Sequence, residues 1–152
     1  MIIGLISDTH GLLRASALAA LAGSEQIVHA GDIGAASVLE ALAAVAPLTV
    51  VRGNNDTESW GETLPEQARI QCAQVEVLIV HDLRTLKPSD RNGGERVIVS
   101  GHSHKPGVRE QAGVLYVNPG SAGPRRFRLP ISVAQLIITG QQVQARIIEL
   151  TS

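Results

Sequence analysis

The chain has 152 residues, 44% of them hydrophobic and 18% charged, with 13 basic against 14 acidic side chains and a formal charge of −1. That balance suits one domain with a sizeable apolar core, and gives no reason to expect a nucleic acid or an anionic membrane as partner. Cys72 is the only cysteine, which excludes an internal disulfide and a thiolate metal site. With no basic leader and no run near the roughly 18 apolar residues of a membrane span, the expected compartment is the cytoplasm.

In chain order, Met1–Ile6 reads as a buried strand. Leu13, Ala17, Leu18 and Leu21 recur at helical spacing, which predicts a helix over Leu12–Ala22 closed by Gly23-Ser24. Gln26–Ala30 is the second strand. Val38, Leu39, Leu42, Val45 and Ala46 keep the helical period until Pro47 stops it, and Leu48–Val51 is the third strand. This order implies parallel strands joined by crossovers. Glu58–Glu66 reads as a loop or short helix holding the only Trp. Ala68–Ala73 and Val75–Val80 are two strands in close succession. Asp82–Glu95 is polar, with a helical turn expected near Arg84–Lys87. Arg96–Val99 and Val114–Val117 are strands, Pro106–Gly113 reads as a loop, and Ser132–Thr139 with Val143–Leu150 forms a closing hairpin around Gly140. A strand–helix first half and a strand-rich second half do not make one doubly wound sheet. The expected fold is α/β: a four-layer αββα sandwich of two mixed β-sheets flanked by helices.

Six apolar runs end in metal-ligand chemistry. Ile2–Ile6 leads into Asp8-Thr9-His10, Ile27-Val28 into Gly31-Asp32, and Leu48–Val51 into Gly53-Asn54. Val75–Val80 leads into His81, Arg96–Val99 into Gly101-His102-Ser103-His104, and Val114–Val117 into Asn118-Pro119-Gly120-Ser121. Strands that share a direction end on one edge, where open α/β sheets bind ligands. In extended chain, Asp8 and His10 point the same way, as do His102 and His104, so each pair is expected to reach one cavity. The donors are hard oxygens and imidazoles, which suit manganese, zinc, iron, nickel or cobalt over an all-oxygen calcium site. They are too many for one tetrahedral ion and fit two divalent ions sharing a carboxylate. Two such ions outweigh Asp8, Asp32 and a bridging hydroxide by one positive charge, which attracts an anionic substrate. A metal pair of this kind clamps phosphate oxygens and acidifies the water between the ions.

The series Asp8-x-His10, Gly31-Asp32, Gly53-Asn54-Asn55-Asp56, His81 and Gly101-His102-Ser103-His104 resembles the calcineurin-like metallophosphoesterases. With Leu64-Pro65-Glu66 and Asn118-Pro119-Gly120-Ser121, the chain is similar to their small YfcE-type phosphodiesterase branch, over essentially its whole length. The resemblance implies a first ion, manganese foremost, on Asp8, His10, Asp32 and His104, and a second on Asp32, Asn54, His81 and His102. It also implies hydrolysis of a small phosphodiester by attack of a metal-bridging hydroxide, with Asn54 beside a phosphate oxygen. Asp56 is expected either to orient His81 or a metal-bound group, and so to count with Asn54 as catalytic, or to form a turn. Arg126, with Arg125 and Arg128, either touches phosphate or is solvated surface charge. His29 is expected to pack or to support a ligand, and Trp60 to pack or to line the pocket rim.

Two positions depart from the family pattern. Asn55 stands where many larger relatives carry a His that protonates the leaving group, and an amide is no acid near neutral pH. Asp82 stands where glycine is usual. Two other readings compete: a non-catalytic scaffold like Vps29, and a phosphomonoesterase or nucleotidase. Small phosphoesters are the expected partners, and a homo-oligomer stays open.

Overall fold

A computed structural model describes residues 1–151. Two five-stranded sheets stack face to face. The first has the order β10-β9-β1-β2-β3, from β1 (Ile2–Ile6), β2 (Gln26–His29), β3 (Leu48–Val50), β9 (Ser132–Thr139) and β10 (Gln142–Glu149). The second has the order β4-β5-β6-β8-β7, from β4 (Gln67–Cys72), β5 (Val75–Val80), β6 (Glu95–Val99), β7 (Gly107–Gln111) and β8 (Val114–Asn118). Strands β1, β2 and β3 are parallel, with β9 antiparallel to β1. In the other sheet β5, β6 and β8 are parallel, and β4 and β7 run antiparallel at the edges.

Alternation along each strand assigns its two faces. Ile3 and Leu5 of β1 meet Val77 and Ile79 of β5 and Val97 and Val99 of β6 in the core between the sheets. On the opposite face of the first sheet, Ile6 and Ile27 pack with Ala17 and Leu21 of α1 (Ala15–Leu21) and Val38 and Leu42 of α2 (Ala36–Ala43). Each fully buried aliphatic side chain in these layers stabilises the fold by about 1.5–3 kcal/mol. Gly4 lets α1 pack closely on β1: a Cβ there would sit 2.7 Å from Leu21 Cδ2 and 2.8 Å from Ser24 Oγ and force those side chains to shift.

The two-sheet sandwich matches the sequence-based expectation, but its fourth layer is thin. The outer face of the second sheet, Leu78, Val80, Ile98 and Val114, is covered by Tyr116 and by Leu83 and Leu86, which open and close the 3₁₀ turn at Leu83–Thr85. Pro106–Gly113 is not a loop: β7 pairs with β8 around a turn at Ala112-Gly113, both left-handed. Its sequence Gly-Val-Arg-Glu-Gln is exposed throughout, so no apolar alternation marks it. Helix α1 begins at Ala15 rather than Leu12, since Arg14 just before it is extended, with φ −73° and ψ 146°. Trp60, in the short helix α3 (Ser59–Glu62), packs against the helix-side core and donates to Glu58. Among the described residues, no helix is long and apolar enough to cross a membrane.

Candidate metal centre

The C-terminal ends of β1, β2, β3, β5 and β6 converge, and all seven proposed ligands follow them directly. Two sets of acid and imidazole groups result: Asp8, His10 and His104 in one, Asp32, His81 and His102 in the other. Asp32 Oδ2 lies 3.3 Å from His81 Nε2 and 3.8 Å from His10 Nε2, so this one carboxylate joins the two sets. Asn54 Oδ1 completes the second, 3.0 Å from His81 Nε2 and 3.2 Å from His102 Nδ1.

Extended chain is not what aims these residues. Asp8, His10, Asp32, His102 and His104 are all left-handed, with φ of 54°, 46°, 57°, 70° and 62°. Asp and His tolerate this region better than most side chains, but each such residue costs of order 1–3 kcal/mol. The surrounding backbone enforces it through close approaches that only glycine permits. A Cβ on Gly53 would collide with the backbone and carboxylate of Asp32, and a Cβ on Gly31 would lie 2.6 Å from His81 Nδ1.

Asp8, His81 and Asp32 are each held in place by neighbouring groups. Asp8 Oδ2 accepts from Ser7 Oγ at 2.7 Å and from the His102 amide at 3.1 Å, while its buried Oδ1 has no hydrogen-bond partner. That oxygen is 3.4 Å from His104 Nε2 and 3.9 Å from His10 Nε2. The two imidazole Nε2 atoms are themselves 3.4 Å apart. His81 Nδ1 donates to the Ala30 carbonyl at 2.7 Å, which turns the Nε2 lone pair toward Asn54 and Asp32. Asp32 is clamped by Asn55, whose amide reaches Oδ1 at 2.9 Å and whose side chain reaches Oδ2 at 3.1 Å. A buried carboxylate oxygen without a donor, ringed by imidazole and amide lone pairs, is a donor set that fits cations. Asn118 and Ser121 brace the site: Asn118 donates to the Gly101 carbonyl and Ser103 Oγ, and Ser121 Oγ to the Asp8 carbonyl.

The charges agree with that reading. Burial pushes the Asp8 carboxyl up. Burial also acts on Asp32, but the hydrogen bond to His81, the Asn55 amide and the nearby imidazoles outweigh it and hold the carboxyl at about 2. His81 is desolvated, yet Asp32 and Asp8 raise its pKa overall. Burial, the Arg126 charge and His10 lower His104 to about 4.

Of the two roles expected for Asp56, the structure shows the turn: its amide donates to the Gly53 carbonyl at 3.1 Å. It does not reach His81. Its Oδ2 accepts from the amides of Asp32 (3.0 Å) and Gly53 (2.8 Å), and its Oδ1 from those of Ile33 (2.9 Å) and Gly34 (3.3 Å). Both oxygens are thus spent on backbone, and Asp56 is a positioning residue that ties the β2 and β3 exit loops together, not a group that touches reacting atoms. His29 is fully buried outside the ligand sets. Its Nδ1 accepts from the Gly31 amide, so Nε2 carries the proton and donates to Thr9 Oγ1 at 3.0 Å. Arg126 is exposed and shares a cleft of about 470 Å³ with Arg84, His102 and Asn118. A second cavity of about 250 Å³, lined by Arg52, Asn54, Glu66 and His81, adjoins it at Asp82, which lines both.

A family model described as the calcineurin-like phosphoesterase superfamily domain matches residues 1–141. The chain belongs to that superfamily. A relative in Methanothermobacter thermautotrophicus named "Probable metallophosphoesterase" is 34% identical, with 97% of this chain and 92% of the relative covered. Among solved structures, vacuolar protein sorting 29 from Cryptosporidium parvum matches at TM-score 0.80 and 24% identity, covering 98% of this chain and 91% of that one. A novel archaeal phosphodiesterase matches at TM-score 0.78 and 22% identity, covering 97% and 100%. These two likenesses establish the fold. Within the calcineurin-like superfamily, whose members use divalent metals, the Asp and His sets of this chain are the groups that could hold them.

Proposed function

We propose that this calcineurin-like chain is a binuclear-metal phosphodiesterase acting on small phosphodiesters. The observation that carries the proposal is the meeting of two ligand sets at Asp32 Oδ2, 3.3 Å from His81 Nε2 on one side and 3.8 Å from His10 Nε2 on the other. Asp8, His10, Asp32 and His104 would hold one ion, and Asp32, Asn54, His81 and His102 the other. Divalent ions there, manganese foremost, supply positive charge for phosphate oxygens and lower the pKa of water.

The chain's own residues do the rest. Asn54 directs Oδ1 at the ligand set, which leaves its Nδ2 to donate to a phosphate oxygen. Arg126 puts a guanidinium group beside the open cleft and favours an anionic ester, while the Arg84 charge there is paired with Asp82. Asn55 is consumed in holding Asp32 and supplies no proton to a departing alcohol. Filled ligand positions favour catalysis over the scaffold reading, and the two adjoining cavities at Asp82 offer space for both arms of a diester.

The test is turnover of bis-p-nitrophenyl phosphate with added Mn²⁺. Hydrolysis that disappears with EDTA, and in Asp32→Ala and His104→Ala, is expected. Tight metal binding without turnover of any phosphoester would favour the scaffold, and faster cleavage of the corresponding monoester would favour the phosphomonoesterase.

A further inference from the structure

His102 differs from the other three imidazoles in which atom it offers. His10, His81 and His104 turn Nε2 inward. His102 instead turns Nδ1 to Asn54 Oδ1 at 3.2 Å, and its Nε2 faces outward to Asp82 and Arg84. Asp82 Oδ2 stands 3.6 Å from that Nε2, and Arg84 Nη2 stands 3.0 Å from it. Asp82 itself is firmly placed. It caps the 3₁₀ turn by accepting the Arg84 amide at 3.0 Å, and the Arg84 guanidinium holds both of its oxygens at 2.9–3.2 Å.

A neutral imidazole carries one N–H. As the side chains stand, Nδ1 donates to Asn54 and Nε2 accepts from Arg84. A cation at Nδ1 requires the other tautomer, because the lone pair must face the ion and the proton must move to Nε2. The Nε2–H then opposes the Arg84 N–H, and once that guanidinium turns aside the acceptor beside the ring is Asp82 Oδ2, a small shift from its present 3.6 Å. We propose that Asp82 is a positioning residue for the second ion, accepting the Nε2–H of His102 and fixing the ring with Nδ1 toward the Asp32–Asn54–His81 set. The proposal rests on the binuclear reading above. It gives this carboxylate, which replaces the family's usual glycine, a task that His81 entrusts to the neutral Ala30 carbonyl. A negatively charged partner makes the imidazole a stronger donor to the ion than a carbonyl does.

Calorimetric titration with MnCl₂ of the full chain, previously stripped with EDTA, tests this. Wild type is expected to bind two ions with separable constants. In Asp82→Ala the weaker or second constant should fall about 10–100-fold while the first is retained. Asp82→Asn keeps an acceptor oxygen and a helix cap without the charge, and should fall between the two. A second constant in Asp82→Ala within twofold of wild type overturns the inference and leaves the binuclear reading intact. Equal weakening of both ions, or a lowered melting temperature in EDTA that accounts for the loss, marks Asp82 as merely structural and also overturns it. A wild-type chain that binds a single ion overturns the binuclear reading first, and the inference with it.

Discussion

Asp56 gives the sharpest test of how the site is built. Its carboxylate is 1% exposed and accepts four backbone amides, two per oxygen, from segments that deliver Asp32 and Asn54. Hydrogen bonds to an ionised acceptor are worth about 1.5–3 kcal/mol each, but the four are not additive, and the part-buried Gly34 amide can rehydrate. Asp56→Ala is therefore expected to cost about 3–5 kcal/mol. For a chain of this size that lowers the melting temperature by about 10 °C. In Asp56→Asn one oxygen keeps its pair of amides while the new NH₂ faces the other pair donor to donor, which should cost about 2–3 kcal/mol. Urea unfolding in EDTA measures both without interference from metal. A loss below about 1 kcal/mol in Asp56→Ala, with turnover nevertheless abolished, would refute the positioning role and return Asp56 to the catalytic residues.

Three further outcomes are expected. Gly101→Ala places a methyl on Ser7 Oγ and 2.6 Å from Asp8 Oδ2, so Mn²⁺ affinity should drop at least about tenfold for a fold penalty of about 1–3 kcal/mol; unchanged affinity in a metal titration would contradict it. Burial, with the His81 charge, lowers His29 to about 3 from 6.5. The unfolded chain therefore takes up a proton that the folded one refuses, and stability is complete above about pH 6.5 and falls toward pH 3. By pH 5 the cost is about 2 kcal/mol, so the difference between pH 7 and pH 5 in urea unfolding should shrink by about that amount in His29→Asn, and an unaltered difference would count against it. Because Asn55 cannot protonate a leaving group, rates across a series of aryl and alkyl phosphodiesters should fall steeply as the leaving group's pKa rises, and a flat series would show that another residue supplies the proton.

Much of the sandwich is legible because its central strands β1, β2, β5, β6 and β9 are largely buried on both faces and stand out as apolar runs. Val75–Val80 and Ser132–Thr139 were bounded by sequence as the structure bounds them. Strand β7 was not legible, since an edge strand exposed on both sides leaves no apolar period. The Asp, Asn and His side chains that the structure gathers are legible as polar groups at strand exits, but the reason that Asp8 and His10 share a cavity is not. It lies in left-handed backbone wedged by distant glycines, which local periodicity cannot encode. For the same reason Asp56 could not be separated from a catalytic acid, nor Asp82 matched with His102: their partners come from other strands.

The central claim is that Asp32 ties two cations to one site. Anomalous diffraction from a crystal grown with excess manganese measures this directly. Two peaks are predicted, one among Asp8, His10 and His104 and one among Asn54, His81 and His102, with Asp32 touching both. A single peak, or none with the seven side chains turned apart, would contradict the account.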